Sequence, residues 1–115
     1  MLKSILVADD DKAMLNLYTR IFSSTDYTIS LASSFAEATN LINSNDYDLL
    51  ITDLMLEDGL GTELIKMFEK KRDGAKSLLV TGSVEELPPE QRPEVYLEKP
   101  FKLEAFMAAV TKALT

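Results

Sequence analysis

The 115-residue chain contains no cysteine and no histidine. Without cysteine, disulfides and thiolate metal sites are excluded, and a reducing compartment is compatible. Without histidine, the chain lacks the commonest general base, the commonest zinc ligand and any phosphohistidine carrier role. No apolar run approaches the ~20 residues that span a bilayer. The N-terminal stretch MLKSILVADDD turns acidic before a signal peptide's long apolar segment and small-residue cleavage site can form, so a cytoplasmic location is expected. Basic charge is also scarce: 12 Lys and Arg stand against 19 Asp and Glu, for a net charge of -7. Such a surface repels nucleic acid phosphates, so neither nucleic acid nor membrane is expected as a partner of this segment. Internal repeats, low-complexity tracts and linkers are absent, and a 46% hydrophobic composition suits one compact domain over residues 1–115.

What the chain does have is alternation. Ile5, Leu6, Val7 and Ala8 form a continuous apolar run ending at Asp9 and Asp10, as expected of a strand covered on both faces. Met14, Leu17, Tyr18, Ile21 and Phe22 then fall on one helical face. A strand pattern follows over Tyr27–Leu31, and Ser34 with Glu37 forms a capping box for a helix striped by Phe35, Ala38, Leu41 and Ile42. Asn43–Asp46 reads as a turn. Leu49, Leu50 and Ile51 predict a third strand that stops at Asp53, and Asp58-Gly59 with Gly61 marks a loop. Leu64, Ile65 and Phe68 begin a third helix, Asp73-Gly74 closes it, and Leu78–Val80 predicts a fourth strand ending at Thr81-Gly82. In the Ser83–Pro93 stretch, Val84–Leu87 allows one helical turn, but Pro88, Pro89 and Pro93 oppose a long helix. Val95–Leu97 predicts a fifth strand before Lys99-Pro100, and Leu103, Phe106, Val110 and Leu114 stripe a last helix. Met14, Phe22, Phe68 and Phe106 are assigned to the core, and Glu85 and Glu86 to the solvated surface. Repeated strand–helix units predict an α/β fold: a doubly wound, five-stranded parallel sheet, flavodoxin-like, in the strand order 2-1-3-4-5.

In such sheets ligands bind beyond the carboxyl ends of the strands, at the switch point between the first and third. The residues expected there are Asp9, Asp10, Asp53, Thr81 and Lys99. Clustered carboxylates repel one another and call for a hard dication, for which magnesium with its oxygen preference is suited. Lys99 adds a compensating charge and Thr81 a neutral donor, while Gly82 leaves room for an incoming group. Asp11 is assigned to the helix cap rather than to the metal. With no His or Cys, the available nucleophile is a carboxylate, and aspartate can form an acyl phosphate. Magnesium and Lys99 suit the charge on transferring phosphoryl oxygens. The pattern points to phosphoryl transfer onto an aspartate.

The segments ILVADDD, DLLITDLMLEDGLG, LLVTGS and YLEKPF resemble, in order and over essentially the whole chain, the four motif blocks of bacterial response-regulator receiver domains, the chemotaxis-regulator-like modules of two-component signalling. The resemblance implies that Asp53 is the phospho-acceptor. It implies that Asp10, Asp53 and the backbone carbonyl of Met55 ligate magnesium directly, with Asp9 acting largely through bound water. It further implies that Thr81 and Lys99 contact the phosphoryl group, that the Lys99-Pro100 bond is cis, and that Tyr96 is the aromatic switch that turns inward when Thr81 moves. The implied donor is a histidine kinase or phosphotransfer protein, small acyl phosphates substituting, and an unnamed downstream protein is the target. A receiver of this kind is no enzyme toward external substrates; it catalyses only its own phosphorylation and dephosphorylation. Met55 and Ser83 flank the pocket and are expected to tune water access.

Two departures stand out. Glu57, in the loop after the acceptor, stands where the family usually has proline, and the proline-rich Ser83–Pro93 stretch corresponds to the fourth helix of the usual signalling face. Two other functions stay open at this level. One is a pseudo-receiver of the same fold, a protein-interaction module that is never phosphorylated. The other is a magnesium-dependent phosphatase or nuclease, disfavoured by the lack of a D-x-D-x-T signature after the first strand; a nucleotide hydrolase is disfavoured by the lack of a G-x-x-x-x-G-K-[ST] loop.

Overall fold

The computed structural model describes residues 2–82, 84–93 and 95–115. Five strands form one parallel sheet: β1 (Ser4–Ala8), β2 (Thr28–Ala32), β3 (Leu49–Thr52), β6 (Lys76–Thr81) and β7 (Tyr96–Glu98), in the order β2-β1-β3-β6-β7. This is the expected order; only the numbering differs, because β4 (Met55–Leu56) and β5 (Gly59–Leu60) form a separate antiparallel hairpin. The hairpin occupies the segment read from sequence as a loop. Its Glu57-Asp58 turn sits between two strands of two residues each, too short to show alternation.

Four helices cover the sheet: α1 (Lys12–Phe22), α2 (Phe35–Ser44), α3 (Gly61–Lys71) and α4 (Leu103–Leu114). Strand periodicity explains the layering. Leu6, Ala8, Leu50 and Leu79 face α2 and α3, whereas Ile5, Val7, Leu49, Ile51, Leu78 and Val80 face α1 and α4. Both faces are thus buried, as the unbroken apolar runs require. On the α1–α4 side, Phe106 is fully buried and meets Tyr18 at 5.5 Å, Phe22 at 5.7 Å and Phe101 at 4.9 Å between ring centroids. Deleting such a ring typically costs roughly 3–5 kcal/mol. The stripe of α1 is rotated slightly from its sequence reading: Leu15, Tyr18 and Phe22 are buried, while Met14 is only half-buried against the core.

Between β6 and β7 the described residues form two 3-10 turns, Val84–Glu86 and Pro89–Gln91, rather than a helix. Proline at 88, 89 and 93 removes backbone donors and biases the residues before it to extended geometry. A groove of about 440 Å³ stays open between α3 and this segment, lined by Ile65, Lys66, Glu69, Gln91, Pro93 and Val95 among others. No helix among the described residues is long and apolar enough to cross a membrane.

Candidate functional site

Parallel pairing carries the polar residues to one rim. The backbone ladder runs one residue past the strands at three points: Asp9 N–H donates to the Ala32 carbonyl (3.0 Å), Asp53 N–H to Ala8 (3.1 Å) and Lys99 N–H to Thr81 (3.0 Å). Asp9, Asp53 and Lys99 therefore leave the sheet at the carboxyl ends of adjacent or near-adjacent strands. Lys99 follows the end of β7, and its bond to Pro100 is cis.

There the Lys99 Nζ donates to Asp9 Oδ2 (2.9 Å) and to Asp53 Oδ2 (3.2 Å). Asp9 is almost wholly buried, at 1% exposed, and the Asp53 side chain is 17% exposed. The other Asp9 oxygen accepts from the Asp11 N–H (2.9 Å), while Asp11 caps α1 by accepting from the Ala13 N–H (2.9 Å). Asp11 thus performs the capping role assigned to it from sequence. Asp10 is exposed, and one ligand oxygen from each of Asp9, Asp10 and Asp53 lies within 4.8 Å of the others. Thr81 is buried at the end of β6. Gly82 is exposed, and among the described residues a Cβ built on it would meet only the Lys99 carbonyl, at 3.9 Å.

Burial raises the Asp9 pKa, and the Asp53 charge adds to it; hydrogen bonds from Lys99 and the Asp11 N–H oppose the rise without cancelling it. At Lys99 burial works the other way, but its bonds and attraction to Asp9 and Asp53 outweigh it and raise its pKa as well. The two shifts look contradictory for one ion pair. They agree because their leading causes differ: burial disfavours the Asp9 anion more than Lys99 stabilises it, whereas Asp9 and Asp53 together hold the proton on Lys99. Burial likewise pushes the Tyr18 phenol well above its usual range, helped by the charges of Asp9 and Asp53.

The donor set suits magnesium. It offers hard carboxylate oxygens at mutually compatible distances, and a surplus of negative charge that a dication would neutralise. Met55, expected to lend its carbonyl, opens β4 two residues beyond Asp53, with its side chain 48% exposed. Tyr96 sits on the edge strand β7 opposite Leu79, half-buried and packed against the core on the α2–α3 side. Ser83, expected beside the pocket, lies outside the described residues.

Three residues on or beside the segment that follows β3 were not singled out as functional from sequence. Thr52 is fully buried and its hydroxyl donates to the Asp53 carbonyl at 2.9 Å. Gly61, read as part of a loop, begins α3 so close to Asp53 that a Cβ would lie 1.9 Å from the Asp53 carbonyl oxygen. Asp58, read as a turn residue, accepts from the backbone N–H groups of Phe35 (2.7 Å) and Ala36 (3.0 Å) at the start of α2. The Asp-Gly-x-Gly spacing signalled a turn, but nothing local in it names a partner some 23 residues upstream.

Comparison with known proteins now bears on this geometry. Residues 5–111 match the family model described as the response regulator receiver domain. Response regulator MprA of Mycobacterium ulcerans is 33% identical over 114 residues, covering 96% of this chain and 49% of the relative. Transcriptional regulatory protein CusR of Escherichia coli is 29% identical over 114 residues, covering 96% and 50%. The chain spans half or less of the length of such curated relatives, falling to 24% for the DNA-binding transcriptional regulator NtrC of a Bradyrhizobium strain. Among solved structures, a CheY-like receiver domain protein from Methanospirillum hungatei superposes with a TM-score of 0.88 at 28% identity, covering 99% of this chain and 94% of that one. Response regulator TrrA from Thermotoga maritima, solved in complex with Mg2+-BeF, gives a TM-score of 0.88 at 28% identity, covering 98% and 100%.

Proposed function

Because this chain belongs to the response regulator receiver domain family, we propose that Asp53 accepts a phosphoryl group from a histidine kinase or phosphotransfer protein and that residues 1–115 act as one signalling receiver in the cytoplasm. The observation that carries the proposal is the Lys99 ammonium shared between Asp9 and Asp53, with Asp10 beside them. An Asp53 carboxylate oxygen attacks phosphorus, the bond from phosphorus to the donor nitrogen breaks, and the leaving imidazole keeps the electron pair and takes a proton from solvent. Lys99 orients Asp53 and stays positioned for an equatorial phosphoryl oxygen. Thr81 supplies a hydroxyl from the neighbouring strand, and Gly82 keeps the entry side open. Asp10, Asp53 and the Met55 carbonyl would hold Mg2+, with Asp9 acting through water; the bound ion would offset negative charge as phosphate enters. The Mg2+-BeF complex of the similar TrrA supports this assignment by analogy.

The readout follows the family pattern as far as Tyr96, which packs one strand from Thr81 and would move inward with it. Beyond that point the two 3-10 turns replace the fourth helix, so the downstream protein would meet a different surface. That difference also favours the second reading, a pseudo-receiver that binds partners without being phosphorylated. One experiment separates the two. Incubation with Mg2+ and acetyl phosphate should add one phosphoryl group by intact-mass measurement, and Asp53→Asn should abolish the gain. No gain with acyl phosphates or candidate kinases would leave the pseudo-receiver reading standing.

A further inference from the structure

The β4–β5 hairpin directly after the acceptor is clamped at both ends. At its base, the Gly61 N–H donates to the Leu54 carbonyl at 2.7 Å, and Gly61 abuts the Asp53 backbone. At its tip, both Asp58 carboxylate oxygens are engaged, one by each of the first two N–H groups of α2. Gly59 lies so close to the Phe35 ring that a Cβ there would fall 2.6 Å from it. The α2 terminus does not need Asp58 for every donor. Ser34 takes the Glu37 N–H (3.0 Å), and the Glu37 carboxylate accepts from the Ser33 N–H (2.6 Å). Asp58 is therefore a cross-link from the acceptor loop to a helix, added to a helix end that already carries its own cap.

Met55 lies between these clamps, one residue after Leu54 and three before Asp58. Glu57 does nothing to restrain the hairpin's φ angles, as a proline would. We propose that Asp58 is a positioning residue for the metal site: its fork onto α2 holds the hairpin so that the Met55 carbonyl stays in register with Asp10 and Asp53. A charge-assisted fork to two N–H groups at a helix start fixes direction as well as distance. The inference rests on the receiver reading, which puts Mg2+ at these residues.

The test is Mg2+ affinity of the unphosphorylated full chain, measured by isothermal titration calorimetry, with thermal melting to confirm folding. Asp58→Ala should weaken Mg2+ binding about tenfold, the usual scale for losing an outer-shell support. Asp58→Asn, which keeps a single acceptor oxygen, should fall between it and the wild type. Ser34→Ala, which removes a cap from the same helix end without touching the hairpin, should lower the melting temperature and leave Mg2+ affinity unchanged. Wild-type affinity in Asp58→Ala, or equal weakening in Ser34→Ala, would overturn the positioning role while leaving the receiver reading intact. Failure of the wild type itself to bind Mg2+ would overturn both.

Discussion

Gly61→Ala sets two physical effects against each other. In a helix alanine is favoured over glycine by up to about 1 kcal/mol, which on propensity alone predicts a more stable protein. The contact predicts the reverse. The added Cβ would stand 1.9 Å from the Asp53 carbonyl oxygen, whereas real Cβ atoms essentially never come within 3.0 Å of a neighbour, so the two backbones must part by at least about 1.1 Å. The facing atom is backbone, and Thr52 and the β3 ladder hold it, so little can yield cheaply. Overpacking of this kind costs roughly 1–3 kcal/mol. The net expectation is a loss of about 1–2 kcal/mol, or a melting temperature lower by about 4–8 °C. Because the displaced group is the proposed acceptor, the rate should suffer more than stability: a misplacement of about 1 Å can cost on the order of a hundredfold. The assay is a thermal melt combined with the time course of phosphoryl gain from acetyl phosphate with Mg2+. For the melt alone Gly82→Ala is the matched control, since among the described residues its Cβ would meet one atom, at 3.9 Å, and stability should change by less than about 0.5 kcal/mol. A Gly61→Ala protein that melts at or above the wild-type temperature and is phosphorylated at the wild-type rate would refute the reasoning.

Lys99→Ala leaves buried Asp9 facing Asp53 with no cation between them; without Mg2+ the protein should lose about 3 kcal/mol of stability, with Mg2+ restoring more than it adds to the wild type, and equal melting temperatures in metal-free buffer would contradict this. The pH dependence follows from Asp9: its folded pKa is raised, so its stabilising contribution is present below the ordinary value of 3.8 and is lost as pH rises through the folded value. Mg2+ needs the ionised carboxylate, so the melting-temperature gain on adding Mg2+ should grow with pH over that window, and a flat profile would count against the raised value. Asp48 works oppositely: the Ser4 N–H and Arg72 lower its pKa, so its contribution is present above 3.8 and is lost as pH falls through the depressed value, adding to acid unfolding. Met55→Ser, at a half-exposed side chain, should change the rate of phosphoryl loss with little effect on melting, and an unchanged decay rate would remove Met55 from water control.

Much of the fold was legible because it rests on local pattern. Unbroken runs such as Ile5–Ala8 and Leu49–Ile51 mark doubly covered strands, and helical stripes between them force parallel pairing with helices on both faces. The capping residues were legible for the same reason: Ser34 and Asp11 act on N–H groups two or three positions away. The Asp9, Asp10, Asp53, Thr81 and Lys99 set could be gathered from topology alone, since every parallel strand delivers its last residue to the same rim.

Contacts between distant segments were decided by tertiary structure. Two-residue strands carry no periodic signal, so the β4–β5 hairpin read as a loop. Nothing in Gly61 states that its Cα must fit against the Asp53 carbonyl, and nothing in Asp58 states that its carboxylate reaches the start of α2. The sharing of one lysine between Asp9 and Asp53, and the burial that raises the Asp9 pKa, also depend on how the strand ends converge. The sequence alone determined which residues could do the chemistry, because residue type and strand order are local properties. Only the packing decided how tightly Asp53 is held, because that depends on contacts between segments far apart in the chain.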